Sequence, residues 1–257
     1  METLLGTDWP TLVGFAVLVT FAAGVVKGVV GFAMPMLMIS GLSSVMPPDI
    51  ALAGLILPTL VTNLWQGFRH GPGAAFQSMR RFRVFLLTGV GFMVIGAQLV
   101  PVMSASFMLL LLGIPVSLFG LSSLMGYAPR LPTQPGLKAE ASVGAVTGFL
   151  GGISGIWGPT TVAMLTALQT EKREQIRAQG VIFGMGSIVL ALSHLGSGVL
   201  NPHSALLSAM LIPPALIGLG LGFVIQDRID QAMFRKLTLL VLVVSGLNLV
   251  RRGLVVL

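Results

Sequence analysis

Lys27 is the only charged residue between Asp8 and Asp49, and it stands in the stretch GVVKGVVGFAMP, residues 24–35. Gly24, Gly28, Gly31 and Pro35 surround it, all weak helix formers. A helix that restarts after such a break directs unpaired N–H groups and the positive end of its dipole at whatever lies before it. A lysine ammonium beside that end adds a full positive charge. At membrane depth a lysine costs about 2.5–3.5 kcal/mol to insert, so it normally faces a cavity or a partner. No acidic residue lies within the uncharged stretches to serve as that partner, and a bound anion is the simplest one. The chemistry predicted here is reversible anion binding.

A second stretch repeats the pattern. GFLGGISGIWGP, residues 148–159, places Gly148, Gly152, Gly155 and Pro159 at the spacing of Gly24, Gly28, Gly31 and Pro35, at a constant offset of 124. The candidate binding residues are therefore Lys27, Gly28, Gly31, Phe32, Ala33 and Pro35 at the first break. At the second they are Gly152, Ser154, Gly155, Trp157, Gly158, Pro159 and Thr160. Asn63 and Gln66, one turn apart in TLVTNLWQ, join them because side-chain amides are expensive in lipid. Thr59, Thr62, Thr161, Gln179, Ser187, Ser193 and His194 are further lining candidates, although a membrane Ser or Thr more often binds a neighbouring helix than a ligand and a lone histidine near a span end is more often an interface residue. Two plainer readings of the opening stretch stay open. Lys27 can snorkel to an interface, and Gly24 with Gly28 can form a close-packing face.

Other chemistry is poorly provided for. The 257 residues include no cysteine, so disulfides, thiolate metal sites and cysteine nucleophiles are excluded. No H-E-x-x-H, G-x-S-x-G or phosphate-binding loop appears. No catalytic residue, metal site or cofactor is predicted, and the chain reads as not an enzyme. The formal charge of +7 is scattered in short clusters, so no nucleic-acid partner is expected.

The elements that would position these residues are transmembrane. Hydrophobic residues make up 54% of the chain and charged ones 9%, with a mean hydropathy of +0.95, against about a quarter charged in a soluble domain. The acidic start, METLLGTDWP, predicts no cleaved signal peptide. Uncharged stretches, set against the roughly 20 residues a crossing needs, predict six plain spans at 49–69, 82–101, 105–126, 176–197, 203–224 and 232–255, the last the weakest because its uncharged run is only 237–250 and Arg251 and Arg252 sit inside it. Segments 11–46 and 139–170 are left over, each holding one glycine–proline break. The proline-rich window 127–138 divides the chain into a first repeat, 1–126, and a second, 139–257, within one membrane domain.

Basic residues cluster at 69–83, 171–177 and 227–236, while the loops near 40–48, 101–106 and 198–204 have no Lys or Arg. Basic loops stay cytoplasmic, so the halves should be inverted. Inversion requires an odd number of crossings per half. The expected fold is all-α, with about eight hydrophobic segments in two inverted repeats, segments 1 and 5 being broken or re-entrant helical hairpins. Inverted repeats with broken helices are an architecture of secondary transporters. Arg251 and Arg252 run against this charge pattern, and eight plain spans are the alternative.

GVVKGVVGFAMPMLM and GFLGGISGIWGPTTVAML, with PPDIALAGLILPTLVTNLWQGFRHG and REQIRAQGVIFGMGSIVLALSHLGSG following them, resemble the TauE/SafE sulfite exporter family along essentially the whole chain. The resemblance implies a multi-pass inner-membrane transporter of small sulfur-containing anions such as sulfite or organosulfonates. Its partners would be the small anionic substrate and the lipid bilayer, with room for a coupling ion, proton or sodium, and for a homo-oligomer. A non-transporting membrane subunit and a passive anion channel are the rival functions. Lys27 stands where the second half has Gly151, a departure from the small residue that the family pattern has there.

Overall fold

The structure is a computed structural model and describes residues 9–99, 104–127, 136–154, 158–196 and 199–255. Its regular elements are all helices: α1 Trp9–Val30, α2 Met34–Leu42, α3 Pro48–Phe68, α4 Pro72–Arg81, α5 Arg83–Ala97 and α6 Ala105–Leu124. The second half supplies α7 Leu137–Ser154, α8 Gly158–Ala167, α9 Lys172–Gly196, α10 Pro202–Met210, α11 Ile212–Arg228 and α12 Gln231–Val255. Six segments among the described residues are long and apolar enough to cross a membrane: Pro10–Val30, Asp49–Phe68, Ser106–Leu124, Lys172–Leu192, Pro202–Arg228 and Gln231–Val255.

Four expectations are revised. The span drawn at 82–101 shortens to α5, which ends at Ala97. The basic stretch before it is mostly helix rather than loop. Gly71, at φ 89°, and Pro72 start α4, and Phe82, at φ −96° and ψ 20°, separates it from α5. The span drawn at 203–224 divides at Leu211 into α10 and α11, since Pro213 and Pro214 have no N–H to give the preceding turn. The paired half-helices expected over 11–46 are unequal. α1 has 22 residues, a full crossing by length, and only α2, with 9, is short.

The chain forms two compact units, each drawn from both halves of the sequence. The first comprises Met1–His70 and Gln179–Ile229, the second Gly71–Ala178 and Asp230–Leu257.

In the first unit α1 runs parallel to α11, Phe21 lying against Gly218 and Val25 against Gly222. Backbones touch there. A methyl group on Gly24 would stand 2.6 Å from the Ala215 carbonyl, and one on Gly28 would fall on Leu219 and Gly222. α2 returns along α3. The Thr62 hydroxyl lies 3.6 Å from the Met34 sulfur, and Leu42 reaches Gly54. Met34, Met38 and Leu42 are fully buried against Ala16, Ala23, Ala51, Leu55, Leu211 and Ala215. The chain thus passes down α1, back along α2 and down again along α3.

In the second unit α7 runs parallel to α5. Methyl groups on Gly144 and Gly148 would strike Phe85 with Thr88, and Gly89, respectively. α6 and α12 pack antiparallel, Gly113 against Gly246 and Ser106 against Gly253. Gly148 and Gly89 are the positions 124 after Gly24 and 126 before Ala215, so the two units use reciprocal pairings. The basic stretches meet in this unit as well. Arg81 pairs with Glu174, the Arg177 side chain donates to the Ser78 hydroxyl at 2.6 Å, and the Lys172 N–H donates to Gln231 at 2.9 Å. Residues from 69–83, 171–177 and 227–236 therefore share one end of the unit.

Candidate functional site

The first break occupies Gly31–Ala33. Gly31 has φ 88° and Ala33 φ 75°, the latter unusual for a residue with a Cβ. Phe32 between them is buried. α1 closes with the Gly31 N–H donating to the Lys27 carbonyl at 2.6 Å. α2 starts with no side-chain cap. Because Pro35 has no N–H, the first-turn donors are the backbone groups of Met34 and Met36.

Two amides attend the C-terminal end of α1. Gln66 Nε2, from α3, donates to the Gly31 carbonyl at 3.0 Å. Gln179, from α9, with its amide nitrogen turned to the same end, reaches the Gly31 carbonyl at 2.9 Å and that of Val30 at 3.2 Å. Both glutamines are fully buried. They converge because α3 and α9 cross at their neighbours Gly67 and Gly180, where a methyl on Gly67 would stand 3.2 Å from Gly180 and one on Gly180 would overlap Gly67.

Lys27 is buried, with 1% of its surface exposed. That rules out snorkelling to an interface in this structure. Its ammonium donates to Thr62 Oγ1 at 2.9 Å and to Asn63 Oδ1. Both acceptors are neutral, so the lysine's charge is solvated by two dipoles and is met by no carboxylate among the hydrogen bonds described here. The acceptors are themselves fixed. Thr62 donates to the Pro58 carbonyl at 2.6 Å, the group one turn earlier on the same helix. Asn63 Nδ2 donates to the Phe183 carbonyl at 3.1 Å and to the Ser187 hydroxyl at 3.3 Å. Thr59, one turn before Asn63, keeps a buried hydroxyl with no partner among the described residues. Lys27 and Met34 lie level with Thr62 and Asn63, four to five residues past the middle of α3, which is about 6–8 Å toward its Arg69 end.

That Arg69 end is tied to α11. Arg69 pairs with Asp227, donates to Gln226 at 3.1 Å and stands 4.1 Å from the centre of the Phe223 ring. Trp65 meets the same ring edge-on.

The model of the family described as sulfite exporter TauE/SafE matches residues 16–249. This chain belongs to the TauE/SafE family. It is a multi-pass membrane protein of a transporter family for sulfur-containing anions. No curated protein and no solved structure gives a significant match.

Of the sequence-predicted residues in this TauE/SafE chain, the structure gathers Lys27, Gly31, Asn63 and Gln66 around one break, with Phe32, Ala33 and Pro35 forming the turn and the helix start. Gly28 faces the backbone of α11, the close-packing role that its spacing from Gly24 had left open. Gly155 and Trp157 fall outside the described residues, while Gly152 and Ser154 lie in the last turn of α7. Gly158 opens α8, with Pro159 buried next to it and Thr160 following. Thr62, Gln179 and Ser187 are more central than sequence reasoning made them. Their signal was present but diluted, since they are ordinary membrane polar residues until the helices that carry them are packed.

Proposed function

We propose that this protein is a secondary transporter that exports a small sulfur-containing anion, such as sulfite or an organosulfonate, across the cell inner membrane. The observation that carries the reading is the Lys27 ammonium, buried beside an uncapped helix start at Met34–Met36. Such a group stabilises a desolvated anion by charge and by hydrogen bonding together. Its neutral acceptors, Thr62 and Asn63, hold the ammonium without neutralising it, so the substrate's charge is the one that completes the site. The anion then sits slightly off the bilayer midplane, on the Arg69 side, with the α2 N–H groups as its backbone donors. The start of α8 at Gly158, Pro159 and Thr160, together with Gly152, Ser154, Gly155 and Trp157, is the counterpart from the second half.

The same reading takes 1–126 and 139–257 as inverted repeats joined by 127–138, with α1–α2 and α7–α8 as broken helical hairpins. Support comes from the return of α2 along α3, from the reciprocal pairs Gly24–Ala215 and Gly148–Gly89, and from the shared end of the three basic stretches.

Labelled sulfite and alkanesulfonate flux in proteoliposomes tests the function. Saturable anion flux, driven by an imposed proton or sodium gradient and half-saturated at a higher anion concentration in Lys27→Met, is the expected result. Flux that ignores every gradient would point to a passive channel. No flux of any anion in a folded, correctly inserted protein would leave a non-transporting subunit.

A further inference from the structure

A second, independent feature lies at the corner between α4 and α5. On α4 the inward face is Ala75, Ser78 and Phe82, all buried. A different face carries Phe76, Met79 and Arg80, at the i, i+3, i+4 spacing of one helical stripe, and Arg83, the first residue of α5, follows one residue past the bend. Phe76 is 65% exposed and Met79 39%. Arg81, which points elsewhere, is held by Glu174. Arg80 and Arg83 are both exposed and make no ion pair among the described residues.

The stripe does not end at Arg83. Along α5 it runs on through Leu87, Val90 and Val94, again i, i+3 or i+4 apart, and these are 74%, 42% and 57% exposed. A short apolar helix in a membrane protein thus presents a ridge of uncovered side chains, with two uncommitted guanidinium groups at its head and an aromatic and a methionine beside them. Arg80 and Arg83 stand at the head of the apolar stripe of α5, as a phosphate stands at the head of an acyl chain.

We propose that the α4–α5 corner is a binding site for one anionic phospholipid. Arg80 and Arg83 take its phosphate by guanidinium hydrogen bonds. Phe76 and Met79 sit in the interfacial layer as an in-plane amphipathic turn, and an acyl chain lies along Leu87, Val90 and Val94. The occupant is anionic because both cations lack a protein counter-charge among the described residues, and it is a lipid because an apolar track longer than a headgroup leads away from them.

The test is native mass spectrometry of the full-length protein in detergent, titrated with phosphatidylglycerol or phosphatidylcholine. The first phosphatidylglycerol should bind about tenfold or more tightly than phosphatidylcholine. R80Q/R83Q should abolish that preference, whereas R252Q, a change at an exposed arginine on α12, should keep it. Photo-crosslinking of wild-type protein with a headgroup-labelled phosphatidylglycerol gives a reading that depends on no variant, and its adducts should fall within 72–94. Equal affinity for the two lipids, an undiminished preference in R80Q/R83Q, or adducts confined to other segments would each overturn the proposal.

Discussion

Gln66 and Gln179, on two different helices, donate to the same carbonyl, that of Gly31. A helix that stops in a buried break leaves carbonyls that no continuing helix can satisfy, and each buried orphan costs roughly 1–3 kcal/mol. The two amides supply what is missing and fix where the chain turns into Ala33. The break is therefore held open from the α1 side, which leaves the first-turn donors of α2 available.

Loss of either cap should destabilise without touching the ammonium. Gln66→Leu and Gln179→Leu are each expected to cost about 1–2 kcal/mol. The double variant should cost more than the sum, since Gly31 keeps one donor until both are gone. Thermal unfolding in detergent measures this. Strictly additive losses would show that the amides do not share the carbonyl.

Removal of the Lys27 charge should act on substrate. Lys27→Met keeps the chain length and takes away one charge, an expected loss on the order of 1–3 kcal/mol, or one to two decades in half-saturating anion concentration. Lys27→Arg should retain part of the affinity, because the charge stays while its shape changes. Asn63→Leu frees the ammonium from one acceptor and should shift anion affinity by less than Lys27→Met does. Unchanged flux kinetics in well-expressed Lys27→Met would remove the lysine from the site and leave the backbone donors at Met34 and Met36.

The glycine crossings separate packing from mere flexibility. Gly180→Ala places a methyl on the backbone of Gly67 and should cost about 1–3 kcal/mol or prevent accumulation. Gly184→Ala, one turn along the same helix, meets only Leu64 at 3.9 Å. It should be neutral or stabilising by up to about 1 kcal/mol, as alanine is the better helix former. Expression level and unfolding temperature compare the two directly.

Inverted topology is open to cysteine labelling, since the native chain has no cysteine. Gly73 and Glu171 are both exposed and belong to the basic end. Single cysteines there should resist an impermeant thiol reagent added to intact cells, while Ser44→Cys, also exposed, should react. Thr170 is a poorer choice, being 4% exposed. Reaction of Gly73→Cys or Glu171→Cys from outside would reject the inverted arrangement.

Composition alone determined the class of this protein, because a chain 54% hydrophobic and 9% charged satisfies its surface only in lipid. Spacing determined the place of the first break, since glycine at φ 88° and a proline in the first turn have strong local preferences. The helix cores within 49–69 and 105–126 were legible from their long uncharged runs, and that within 232–255 less so, from the shorter run 237–250. Local signals failed where a neighbour decides. The bend at Leu211 and the separate helix α4 depend on which N–H groups are missing and on what packs beneath, not on average hydropathy. The partners of Lys27 were beyond the sequence altogether. Thr62 and Asn63 lie 35 and 36 residues away, and Ser187, which holds Asn63, is 124 further on. Only the close crossing of glycine-bearing helices brings these polar groups to one depth, and a hydrogen bond some 3 Å long cannot be read from a sequence that leaves that crossing unspecified.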